Sequence, residues 1–121
     1  MNKKQRPEIP GIVNESMNEV EVFQNNTIRP IVKMQHDLLI FLFENYLQRR
    51  KINFLDFKIT KKKESINSIF SKDITFNHMI VGSVLGHFSD TELQFYILHS
   101  SEIHKRIKKI VKKRIEDTYL F

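Results

Sequence analysis

The sequence predicts an all-α, single-domain bundle of five or six helices, with an extended or flexible arm over residues 1–15 and the helical domain over residues 16–121. Three observations carry that reading. Among 121 residues there are only three glycines and three prolines, too few to punctuate the turns of an all-β chain. Apolar residues recur at helical spacing in several stretches, with no pair of alternating runs to make a hairpin. Serine, threonine and aspartate stand just ahead of those stretches, where their side chains can cap a helix.

Each element follows from local signals. The arm holds Pro7, Pro10 and Gly11 and shows no periodicity, although Ile9, Ile12 and Val13 give it an apolar side to lay along the domain or a partner. Ser16 and Glu19 have capping-box spacing and predict a short helix over 16–24, broken by Asn25, Asn26 and Thr27. Thr27 then caps a longer helix with Pro30 in its first turn, running to about Arg50. Ile31, Met34, Leu38, Leu42 and Tyr46 form one stripe on it, and Val32, Leu39, Phe43 and Leu47 a second. With Ile40 and Phe41 its middle is apolar all round, as in a helix buried centrally or shared with another subunit. Leu38, Leu39, Phe41, Leu42 and Phe43 are therefore the candidate interface residues.

After the short apolar segment NFLDF, Thr60 starts a basic helix with Ile66, Ile69 and Phe70 facing inward. Asp73 caps the next, over 74–88, where Gly82 and Gly86 suggest close approach of a second helix. Ser89 and Glu92 repeat the capping-box spacing ahead of a helix to about His99. Ser100 or Ser101 begins the last, which reaches about Tyr119.

Several function classes are excluded or left without residues. Cysteine is absent, so there is no disulfide, thiolate nucleophile or cysteine metal site. The longest apolar run, LLIFLF at 38–43, falls far short of the roughly 20 residues of a membrane span. MNKKQRPEIP lacks the apolar core of a secretory signal, so a cytoplasmic protein is expected. The histidines (His36, His78, His87, His99 and His104) do not pair at helical ligand spacing with carboxylates. No glycine-rich phosphate loop or nucleophile elbow occurs. No catalytic residue, metal or cofactor is assigned.

The charge is concentrated in HKRIKKIVKKRI, residues 104–115. Ile103, Ile107, Ile110, Val111 and Ile115 trace one helical stripe there. Lys105, Lys108, Lys109 and Lys112 fall opposite, Arg106 and Lys113 lie at one flank, and Arg114 sits near the apolar stripe. The chain's net charge is +6, and the seven cations from Lys105 to Arg114 exceed it by one. Solvated faces interleave signs, and like charges at i, i+4 repel by a few tenths of a kcal/mol, so an anionic partner is expected. A lysine-rich set suits phosphate contact more than base readout. Lys61, Lys62 and Lys63 form a second cluster able to widen the patch.

The run PEIPGIVNESMNEVEVFQNNTIRPIVKMQHDLLI resembles the opening of a largely uncharacterised family of small bacterial helical proteins, some of which carry the label "glyoxalase". The likeness continues through TELQFYILHSSEIHKRI and covers most of the chain. The resemblance implies no functional residues. Its label implies a metal-dependent lyase with several histidines converging in one pocket. Glyoxalase-type enzymes, however, build their metal site on strands of paired βαβββ modules, whereas this chain reads as helices.

The leading expectation is thus a non-enzymatic helical protein that binds nucleic acid or a nucleoprotein particle electrostatically through Lys105, Arg106, Lys108, Lys109, Lys112 and Lys113, with Lys61–Lys63. The alternative is a protein-interaction or self-assembling module using the apolar helix 31–47, and the third a glyoxalase-like lyase.

Overall fold

A computed structural model describes residues 18–121; the arm and the expected cap at Ser16 lie outside the described residues. The first helix, α1 (Glu19–Phe23), is capped by Asn18, whose side-chain oxygen accepts the Glu21 amide at 2.8 Å. The expected break at 25–27 does not occur. The chain passes through one π-helical turn, Gln24–Ile28, directly into α2 (Arg29–Met34). Asn and Thr oppose helices when their side chains compete for the backbone. Here both are buried with other partners: Asn25 Oδ1 accepts Arg29 Nε at 2.9 Å, and the Thr27 hydroxyl donates to Glu92 at 3.1 Å. Thr27 is therefore an interior residue of the rod and not a cap.

The rod bends at Gln35 (φ −98°, ψ 20°), a buried residue whose side chain bonds to His87. Beyond it α3 (His36–Arg49) buries Leu39, Phe43 and Leu47. It ends in a Schellman arrangement, with Lys51 N donating to Gln48 O at 3.1 Å and Ile52 N to Leu47 O at 2.9 Å. Lys51 occupies the left-handed position, φ 56°, that glycine fills at most such ends.

A 3₁₀ turn, Phe54–Asp56, leads into α4 (Ile59–Lys72), which buries Ile66, Ile69 and Phe70 as expected. Asp73 caps α5 (Ile74–Leu85) by accepting the Phe76 amide at 2.8 Å. That helix stops three residues short of the expected 88. The Gly82–Gly86 spacing does not mark a close helix approach: a Cβ at Gly82 would meet nothing within 4 Å, and one at Gly86 only its own helix's carbonyls. The Ser89–Glu92 capping box is formed and opens α6 (Asp90–Leu98). Finally α7 runs over Ser100–Tyr119. With the α1–π–α2 rod counted once, the described residues form six helices and no strand. None is long and apolar enough to cross a membrane.

The helix α7 is the centre of the bundle, in contact with α2, α4, α5, α6 and the π-helical turn. Ile103, Ile107, Val111 and Ile115 are all fully buried. Spaced every fourth residue, they hold one side of the helix in the core at roughly 1.5–3 kcal/mol each. Aromatic rings fill the space around them. Phe43 meets Phe54 at 5.3 Å and Tyr119 at 5.5 Å, and Phe23 lies 4.7 Å from Phe95 and 5.4 Å from Phe88.

Candidate nucleic-acid interface

Burying one side of α7 obliges its remaining residues to face outward. Lys105, Lys109 and Lys113 are exposed, while Lys108 and Lys112 are half-buried at the base of the row. At 1.5 Å per residue, Lys105 to Lys112 spans roughly 10 Å. Because the opposite stripe is packed, this row is held by the bundle and does not depend on an independently stable helix.

The cations differ in what already neutralises them. Arg106, 20% exposed, donates to Glu102 at 2.9 Å and to Gln24 at 3.0 Å, tying α7 to the π-helical turn. Lys113 pairs with Asp117 at 2.8 Å, and that hydrogen bond raises its ammonium pKa. Arg114 contacts His36 at 3.3 Å. Among the described residues, Lys105, Lys108, Lys109 and Lys112 have no carboxylate partner. The free charge is thus narrower than the sequence suggests: four lysines rather than six cations.

The second cluster is partly engaged. Lys61 stands 4.1 Å from the Phe57 ring centroid and Lys62 5.8 Å from that of Phe54, both cation–π contacts, while Lys63 is exposed. Phe54 in turn packs 5.4 Å from Tyr119, which places the cluster toward the C-terminal end of α7. Arg50, at the end of α3, pairs with Asp73 at 2.9 Å and lies over Tyr46.

Beside the lysine row is a notch that sequence reasoning missed. It has a volume of about 280 Å³ and is lined by His78 and Asn77 of α5, Tyr96 of α6, and His104 and Lys108 of α7. Tyr96 hydrogen-bonds His104 Nε2. Burial, then the charge of Lys108 and the neighbouring His78, hold the His104 pKa below the ordinary histidine range. No single motif could reveal this site, because three helices contribute to it and its residues span positions 77–108.

The five candidate interface residues separate. Leu39 and Phe43 are fully buried in this chain's own core and have no surface to offer a partner. Leu38 and Phe41 are exposed, at 39% and 62%, and half-buried Leu42 lines a cleft with Met79 of α5. A larger cavity of about 620 Å³ lies between the end of α3, the 3₁₀ turn and Tyr119, whose hydroxyl donates to Glu44 at 2.7 Å. Among the described residues, no three histidines and carboxylates are arranged to hold a metal ion.

No protein-family model, curated protein or solved structure matches this chain.

Proposed function

We propose that this chain is a non-enzymatic, cytoplasmic protein that binds nucleic acid, free or within a nucleoprotein particle, through the lysine face of α7. One observation carries the reading. Lys105, Lys108, Lys109 and Lys112 lack carboxylate partners among the described residues, yet sit on a helix whose other side is fixed in the core. Four like charges held within roughly 10 Å repel one another, and a row of phosphates relieves that repulsion while releasing counterions. Lysine makes point-charge contacts, so binding is expected to be weakly sequence-specific. The test is binding of short labelled RNA and DNA across about 50–200 mM salt, for wild type and Lys108→Glu/Lys109→Glu/Lys112→Glu. Three to five phosphate contacts predict a log–log slope of about −2 to −4 that collapses in the variant. Weak binding of wild type even at low salt would overturn the proposal.

A second reading rests on the exposure of Phe41 and Leu38 beside the Leu42–Met79 cleft, a surface suited to a protein partner or a second copy. It predicts association indifferent to salt and weakened by Phe41→Ser, measured by sedimentation.

A further inference from the structure

We propose that the notch between α5, α6 and α7 is an oxyanion site, seating one phosphate of a strand that lies along the lysine row. This deepens the nucleic-acid reading and rests on it. The side chains lining the recess select the ligand. Lys108, His78 and His104 can each carry a positive charge, and Tyr96 adds a hydroxyl. Val81 and Leu85 supply apolar wall, and among the described residues no carboxylate lines the notch. The side chains of Lys108 and His78 have no hydrogen-bond or ion-pair partner among the described residues.

The notch also continues the row. His104, Lys108 and Lys112 are spaced four residues apart, so they stand on one ridge of α7, roughly 6 Å from each to the next. A strand following Lys112 and Lys108 therefore meets His104 next, with His78 on α5 and Tyr96 on α6 completing the recess. His104 and Lys108 are both half-buried. A phosphate between them is partly shielded from water, and its attraction to the ammonium is stronger than at an exposed lysine.

Proton uptake accompanies the event. In the empty notch burial, then Lys108 on the same helix and His78 from α5, disfavour the His104 imidazolium. From α6, Tyr96 meets the ring as a neutral hydroxyl, hydrogen-bonded to Nε2. An anion beside Lys108 offsets the neighbouring positive charge and favours protonation. His104 then takes a proton from solvent and donates through Nε2 to the Tyr96 oxygen, leaving the Tyr96 hydroxyl proton for the phosphate. The imidazole pKa rises on binding, so affinity increases as pH falls through the histidine range. The lysines alone titrate far above that range.

The experiment has two arms, one with a free oxyanion and one with a strand. In the first, sulfate is titrated into wild type at fixed ionic strength, and the histidine rings are followed by NMR from about pH 5.5 to 8. Sulfate itself does not titrate there. The His104 and His78 resonances are expected to move more than those of His36 and His99, with the His104 titration displaced to higher pH. In the second, a labelled DNA oligonucleotide with hydroxyl ends presents only interior phosphodiesters, which do not titrate in this range either. Its affinity by fluorescence anisotropy should rise by up to about tenfold from about pH 7.6 to 5.8, the worth of a one-unit rise in pKa. His104→Gln keeps a group able to bond Tyr96, and should lose most of that rise while keeping the salt slope. Sulfate that moves all four rings alike, or a pH dependence unchanged in His104→Gln, overturns the notch and leaves the lysine face standing. Ring shifts with sulfate but no salt-dependent oligonucleotide binding keep the oxyanion site, with a free anion as its ligand, and overturn the nucleic-acid reading instead.

Discussion

Glu92 and Thr27 are sixty-five positions apart, and a 3.1 Å hydrogen bond joins them. The other Glu92 oxygen accepts the Ser89 amide at 2.8 Å, closing the capping box of α6. One carboxylate thus caps its own helix and fixes the π-helical turn of another. Thr27→Val is expected to cost about 1 kcal/mol in urea denaturation, and Glu92→Ala about 2 kcal/mol because the box is lost as well. The double variant should recover about 1 kcal/mol of non-additivity. Strict additivity would show that the contact contributes nothing.

Asp73 predicts an acid response. One oxygen accepts the Phe76 amide, and the other accepts the Tyr46 hydroxyl and Arg50, each at 2.9 Å. The Phe76 amide above all, then Tyr46 and Arg50, hold its carboxyl below the ordinary value of 3.8. A folded-state pKa below the unfolded one contributes stability that is complete above the unfolded value and lost as pH falls through the folded one. Urea midpoints should therefore drop below about pH 4 in wild type, and less steeply in Asp73→Asn. Parallel pH profiles for the two proteins would contradict the assignment.

Lys51 is strained by its own conformation. A side chain at φ 56° costs about 1 kcal/mol relative to glycine. Lys51→Gly is expected to stabilise the protein by roughly 0.5–1 kcal/mol, less whatever glycine adds to the freedom of the unfolded chain. A melting temperature lowered by the substitution would refute this.

Phe43 and Phe41 stand two positions apart on α3 with opposite roles. Phe43 is fully buried against Phe54, Phe76 and Tyr119, and Phe43→Ala is expected to cost about 3–5 kcal/mol. Phe41 is 62% exposed, and Phe41→Ser should fall within about 0.5 kcal/mol of wild type. A large loss for Phe41→Ser in a monomer at high dilution would place it in the core after all.

Elements with strong local signals were legible in the sequence. The Ser89–Glu92 box, the Asp73 cap and the isoleucine stripe of α7 each lie within a few turns of chain and all formed. Where the reading failed, the deciding interaction was distant. Asn25–Thr27 looks like a break until Glu92 arrives from α6, and the bend at Gln35 depends on His87. The apolar middle of α3 could not show which residues would be covered, because that depends on α5, the 3₁₀ turn and α7. The lysine row was visible as composition, but which lysines are free required Glu102 and Asp117 to choose their partners. The notch was invisible for the same reason.

The central position of α7 also bears on how the protein is made. Every other helix precedes it in the chain, so the ribosome releases them before the helix they surround exists. Until Ile103–Ile115 emerge, the inward residues of α4 and α5 lack their main apolar counterpart and resemble the exposed surfaces that holdase chaperones grip. The nascent polypeptide is also close to neutral until that moment, since residues 1–104 carry 13 lysines and arginines against 12 aspartates and glutamates. The buried isoleucine stripe and the lysine row of α7 thus enter the protein in a single event of biosynthesis.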